Sequence, residues 1–275
     1  LTGLARPDAG AIRIDGIDCT GNPKAAQHRI GVIPDDSNLY PELTGFENLA
    51  FCGALYGMER ERREARAREL LQTFGLAEAG KRKFGGYSKG MKRKLTIAAG
   101  IMHEPPILFL DEPTTGIDVA AARQIRQLIA DLHAGGTTVF LTTHYIEEAE
   151  RLCDRIAFIV KGRIVRVDTV ESLMQPVRAR HVVEFVLDGA ADNLAGALAA
   201  AFPGMEPERV SPDRLRLSSA NPLPVGPQVR FFEEHGRDVL EARRVRPSLE
   251  EVFVKVTGIE ANAMKQDAPK KGGGA

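Results

Sequence analysis

Residues 107–144 read ILFLDEPTTGIDVAAARQIRQLIADLHAGGTTVFLTTH, and the fold follows from how they are patterned. Four apolar residues, Ile107 to Leu110, run without alternation into Asp111 and Glu112. That is the pattern of a buried parallel strand that delivers carboxylates at its C-terminal end, where open α/β sheets keep their ligands. Pro113 stops the strand. Ala122, Ile125, Leu128, Ile129 and Leu132 then recur at helical spacing, and Gly135-Gly136 closes that helix. A second β-rich run, Thr137 to Thr142, carries His144 just past its end, so a right-handed strand–helix–strand crossover sets His144 beside Asp111 and Glu112. A cation and a water poised for attack fit between them, since a hard cation prefers carboxylate oxygen and hydrolysis needs a base within reach of water.

Working outward, Ile30-Gly31-Val32-Ile33-Pro34 is a second apolar strand, ending in Asp35-Asp36. Residues 9–18 alternate like a hairpin at a sheet edge, and Leu1 to Gly3 reads as the last turn of a helix. From Leu43 to Gly100 the pattern is helical. Phe46, Leu49, Ala50, Phe51 and Leu55 form one expected apolar stripe, and Leu70, Leu71 and Phe74 another. Between them, Glu59 to Glu69 mixes Arg and Glu as a solvated face does. Tyr40 and Tyr56 are expected to pack within this helical region. Ser88, in Tyr87-Ser88-Lys89-Gly90-Met91, can cap a helix and leave its free N–H groups for an anion.

Arg155 to Val167 reads as a hairpin turning at Lys161-Gly162. After Pro176 the register changes. Strands at 181–187, 213–217 and 239–245, with helices at 190–202, 222–236 and 248–257, make a small α+β unit. His181 and His235 stand alone and carry no chemistry. The tail from Ala263, with its KKGGG run, is expected to be disordered.

The 275 residues can bury a sizeable core, with the second domain the smaller. The 37 acids balance 37 bases, which argues against a dedicated nucleic-acid binder. The three cysteines, Cys19, Cys52 and Cys153, follow no metal spacing and read as reduced thiols. No apolar run is long enough to span a bilayer and no signal peptide is visible, so a membrane role has to go through a partner.

Taken together, ILFLDEPTTGID, His144 and YSKGMKRKL at 87–95 resemble the ATPase subunit of an ABC transporter of the drug-export type. The resemblance implies an α/β, P-loop NTPase-like ABC ATPase core over 1–175 with a helical subdomain at about 43–100. A C-terminal α+β accessory domain over 178–258, closing with Pro247 to Phe253, and a tail at 259–275 would follow. It implies ATP and Mg²⁺ as cofactors, with Asp111 holding the metal and Glu112 the general base. His144 would contact the γ-phosphate, and Gly116-Ile117-Asp118 would cross a dimer interface. Asp35 stands where the family usually has a metal-touching glutamine. Ser88, Lys89 and Gly90 would grip the γ-phosphate held by the opposite subunit, although Lys89 and Met91 replace the usual glycine and glutamine. The implied partners are a transmembrane permease, received in a groove near residues 35–56, and an identical or related ATPase chain. The implied place is the cytoplasmic face of the membrane.

The phosphate-binding loop itself, Gly-x-x-x-x-Gly-Lys-Ser/Thr, has one near match, Gly75 to Arg82. That stretch lacks the hydroxyl and the preceding strand and reads as an interhelical turn. The expectation is therefore of a fragment whose loop would lie upstream of residue 1 and which is inactive alone. A non-catalytic ABC-type scaffold or regulator is the alternative.

Overall fold

The structure, a computed structural model, describes residues 2–3, 7–191, 194–245 and 248–258. It divides into two compact units, residues 1–152 and 153–275. The first begins with a hairpin, β1 (Arg13–Ile14) and β2 (Ile17–Asp18), turned through Asp15 and Gly16, both at positive φ. Next come β3 (Ile30–Ile33), α1 (Gly45–Leu55), α2 (Arg60–Thr73) and α3 (Lys89–Gly100). The unit ends with β4 (Ile107–Asp111), α4 (Val119–Ala134), β5 (Thr138–Thr142) and α5 (Ile146–Leu152).

Strands β3, β4 and β5 form one parallel sheet in that order. The alternation of side chains gives it two faces. Leu108, Leu110 and Ile33 enter the core with Ile125 and Ile129 of α4 and Leu95, Ile97 and Ala98 of α3. Val32, Phe109 and Phe140 sit in register on the opposite face. Gly31 is required by this packing: a Cβ there would lie 2.3 Å from the carbonyl oxygen of Gly100. The crossover from β4 through α4 to β5 is the one the sequence predicts, and Gly136, at φ +97°, makes the left-handed turn after α4.

Helix α1 starts in a capping box. The Thr44 hydroxyl accepts from the Glu47 N–H at 3.1 Å while the Glu47 carboxylate accepts from the Thr44 N–H at 2.8 Å. Its buried face is not the expected stripe. Leu49 is buried, but Phe51 and Leu55 are 39% and 70% exposed, and Asn48 and Gly53 point inward instead. Asn48 wins its place because its amide donates to the carbonyls of Tyr40, Leu43 and Thr44 and accepts from the Tyr40 N–H. Gly53 lets Arg63, Met58 and Met102 approach within 2.9–3.2 Å of where a Cβ would be. Nor are Tyr40 and Tyr56 packed inside. Tyr40 stands edge-on to Phe51, and Tyr56 stacks on His103 with ring centroids 3.5 Å apart. In α2 the expected Leu70 and Leu71 are buried, as is Phe74 at its C-terminal cap, and Arg60–Glu64, Arg68–Glu64 and Arg66–Glu69 pair along its outer side. The near-match at residues 75–82 is a short 3₁₀ turn, as its composition predicts.

The second unit contains the antiparallel hairpin β6 (Arg155–Val160) and β7 (Arg163–Thr169), turned at Lys161-Gly162, both at positive φ. It continues through α6 (Val170–Arg178), β8 (His181–Leu187), α7 (Leu194–Ala201), β9 (Glu206–Ser211) and β10 (Arg214–Ser219). It closes with α8 (Val225–Glu234), β11 (Val239–Val245) and α9 (Leu249–Thr257). The sheet order is β11-β8-β10-β9, all antiparallel. Val183, Phe185, Leu187, Leu215 and Leu217 meet Leu198, Phe231 and Phe232 on its covered face.

Further features depart from the sequence reading. The sequence pattern gives no sign of β9, because Pro207 and its charged neighbours disguise an edge strand. The units also meet at 152/153, not between 175 and 178. The hairpin and α6, which runs through Pro176, pack with the C-terminal α9, and Phe158 lies edge-on to Phe253 at 5.3 Å. Residues 1, 4–6, 192–193 and 259–275 and the pair Arg246-Pro247 lie outside the described residues, as does the expected tail.

Candidate functional site

The C-terminal edge of the parallel sheet gathers the acids and the imidazole. Asp111 ends β4 directly opposite Thr142 of β5, whose hydroxyl donates to Asp111 Oδ1. Glu112 follows at φ 46°, a left-handed backbone that a non-glycine residue adopts at a cost of about 1–2 kcal/mol. The Glu112 N–H donates to the Thr142 carbonyl at 3.0 Å, which holds the turn. The Glu112 side chain is thereby aimed at His144: its Oε1 accepts from the His144 N–H at 3.0 Å and lies 2.9 Å from His144 Nδ1. Its Oε2 accepts from the Thr115 hydroxyl at 2.9 Å. Both side chains are partly exposed, 22% for Glu112 and 35% for His144, so water can reach the pair.

Helix N-termini supply the second group. Ser88 caps α3, its hydroxyl accepting from the Met91 N–H at 3.2 Å, and Lys89 is exposed in the first turn. Asp118 caps α4, its Oδ1 accepting from the Ala121 N–H at 2.8 Å. The two helix starts touch: a Cβ on the buried Gly90 would lie 2.7 Å from Ala121 Cβ and 3.9 Å from Asp118 Oδ2. The structure thus brings Ser88, Lys89, Gly90 and Asp118 to one place and Asp111, Glu112 and His144 to another, and the loop of residues 113–118 connects them.

Arg93 ties these parts together, and nothing in the sequence singles it out within its basic run. Only 7% exposed, it donates from Nε to the Pro113 carbonyl at 2.9 Å and from Nη2 to that of Asp111. Its Nη1 donates to the carbonyls of Pro34 and, at 3.0 Å, Asp35. Asp35 and Asp111 therefore share one guanidinium through their backbones. Burial lowers the Arg93 pKa, and Asp35, Asp111, Glu112 and Glu148 pull it back up. A second buried charge, Glu148 of α5, accepts from the Thr114 hydroxyl at 2.6 Å with Arg126 4.0 Å away, and so pins the loop after Glu112 to the helix after His144.

Among the described residues no group of three or more His, Cys, Asp or Glu is arranged as a metal site. Mg²⁺ does not demand one, because it is commonly held by one or two carboxylates with water and substrate phosphates completing its shell. The exposed Asp111 carboxylate, oriented by Thr142, fits that role. No described helix is long and apolar enough to cross a membrane.

Comparison with known proteins finds relatives in sequence and in fold. Residues 1–115 match the ABC transporter family model. The daunorubicin resistance ATP-binding protein DrrA3 of Streptomyces coeruleorubidus is 38% identical over 265 residues, covering 94% of this chain and 81% of that protein. The Nod factor export ATP-binding protein I of Burkholderia lata is 35% identical over 260 residues, covering 94% and 83%. Among solved structures, an ATP-binding subunit of an ABC transporter superposes with a TM-score of 0.57 at 31% identity, over 64% of this chain and 73% of that one. A dimeric ATP-binding cassette in a post-hydrolysis state with ADP and Pi gives a TM-score of 0.55 at 28% identity, over 61% and 76%. With a relative 38% identical over 94% of this chain and 81% of its own length, this chain belongs to the ABC transporter family, as an ATP-binding ATPase subunit.

Proposed function

We propose that this subunit hydrolyses MgATP within a dimer of ATPase chains and so drives export through a separate membrane permease, which holds it at the cytoplasmic face of the membrane. The observation that carries the reading is the convergence of Glu112 and His144 at the end of β4 and β5, next to Asp111. Asp111 would hold Mg²⁺, with Asp35 near it, and the metal when bound supplies charge neutralisation on the phosphate oxygens. Glu112 accepts the proton of the attacking water, and His144 keeps that carboxylate aimed through its N–H and ring. While Nδ1–H is committed to Glu112, Nε2 of a neutral His144 is an acceptor, so only the imidazolium donates to a phosphate oxygen.

Ser88, Lys89 and Gly90 open α3 with free N–H groups and a positive dipole end, which suits the γ-phosphate of a nucleotide held by the other chain. Asp118 stands beside Gly90 on the same face. No Gly-x-x-x-x-Gly-Lys-Ser/Thr stretch, the usual cradle for the remaining phosphates, occurs in the sequence.

The test is Glu112→Gln in the natural subunit with its permease. The amide keeps the shape and the contact with the His144 N–H but cannot take a proton. Turnover is expected to fall about 10²–10⁴-fold with nucleotide binding and dimerisation retained. Hydrolysis at the wild-type rate would remove Glu112 from its role.

A further inference from the structure

Four carbonyl groups converge on the Arg93 guanidinium: Pro34 and Asp35 after β3, Asp111 at the end of β4, and Pro113 just beyond it. The side chain is buried, so these contacts are shielded from water and the fork has one geometry that satisfies them all. Arg93 also belongs to α3, whose capped N-terminus at Ser88 lies five residues back, about 7.5 Å along a rigid helix. In the dimer proposed above, one end of this lever would face a phosphate of the neighbouring chain's nucleotide. The other grips the strand ends that carry this chain's own Asp35 and Asp111.

We propose that Arg93 is a positioning residue that couples the two nucleotide sites of the dimer, passing the engagement of α3 on one nucleotide to the strand ends that hold the other. The inference rests on the two-site reading above and adds to it the element that links the sites. A planar fork is needed for this. A lysine keeps the positive charge, but its three N–H donors sit on one nitrogen and cannot reach all four carbonyls that the three guanidinium nitrogens span. Arg93→Lys is therefore the informative variant, since it leaves a cation among the surrounding carboxylates.

Two measurements test it. Amide hydrogen exchange on the chain without nucleotide should show segments 35–39 and 110–116 opening together, about tenfold faster in Arg93→Lys, with protection in α1 and α2 unchanged. Faster exchange in only one segment, or in neither, would overturn the shared grip. ATP turnover by the natural subunit with its permease should lose cooperativity, the Hill coefficient falling toward 1, while KM changes by less than about threefold. A lower kcat with the Hill coefficient intact would reduce Arg93 to a structural residue and overturn the coupling. Absence of turnover in the wild type would instead defeat the ATPase reading and the coupling with it. The exchange result needs no nucleotide and keeps the two failures apart.

Discussion

Gly90→Ala tests the meeting of the two helix starts at the candidate site. The added methyl would sit 2.7 Å from Ala121 Cβ, against an ordinary contact of about 3.5–4.0 Å between carbons, so α3 or α4 has to retreat by roughly 1 Å. Overpacking of this kind costs about 1–3 kcal/mol. Alanine gives back up to about 1 kcal/mol of helix propensity, less in the first turn, leaving the variant about 0.5–2.5 kcal/mol less stable. Truncating the other side of the contact should undo the damage, because Ala121→Gly removes the atom that is struck. Urea unfolding of the wild type, both single variants and the double variant gives the cycle, and a favourable coupling of at least about 1 kcal/mol is expected. The single Gly90→Ala variant should also lose more ATP turnover than its stability loss explains, since the N–H groups aimed at phosphate move with the helix. A coupling below about 0.5 kcal/mol would show that the two helix starts do not press on each other, and the placement of Ser88 and Lys89 against Asp118 would fall with it.

Thr114→Val removes the 2.6 Å donor to Glu148 and leaves a carboxylate only 4% exposed with Arg126 at 4.0 Å; a loss of about 1–3 kcal/mol is expected by chemical denaturation, and less than about 0.5 kcal/mol would refute the bond. Glu112→Gln should separate turnover from binding, and equilibrium unfolding should show its fold intact because the 3.0 Å contact with the His144 N–H survives. His103 supplies a pH dependence: burial lowers its pKa, its Nε2 donates to the Ile30 carbonyl, and its buried Nδ1 has no hydrogen-bond partner among the described residues to accept a second proton. Its depressed folded pKa means that its contribution is fully present above the unfolded value of about 6.5 and is lost as pH falls below it through the folded value. Urea midpoints at pH 7.5 and 5.5 should therefore drop more in the wild type than in His103→Phe, and equal drops would count against a buried neutral imidazole.

Much of the site was legible before any coordinates. An unbroken apolar run, a helix with apolar residues at spacings of three and four, and a glycine pair define β4, α4 and β5. The parallel pairing of β4 and β5 then brings His144 to Glu112. Those signals are local or follow from one topological rule, which is why a sequence carries them. Lys161-Gly162 and the Ser88 cap were equally plain, because turn and cap chemistry resides in the residues that make it. Where the sequence reading failed, the deciding contact lay outside the periodic pattern, either a few residues before it or far along the chain. Phe51 and Leu55 look like core residues until Asn48 is seen to bind the carbonyls of Tyr40, Leu43 and Thr44. Pro176 looks like a boundary until α9 is seen to return to the hairpin before it.

The sequence by itself determined a parallel strand ending in Asp111-Glu112, a helix, and a second strand ending near His144, since periodicity and crossover handedness admit few other arrangements. Only the tertiary structure decided that Arg93 would join the ends of β3 and β4 and that Gly90 would have to be bare against Ala121. It also decided that Glu112 would turn through a left-handed backbone to face His144. These depend on where carbonyls and methyl groups from separate segments come to rest, a matter of packing among many residues that no local pattern encodes.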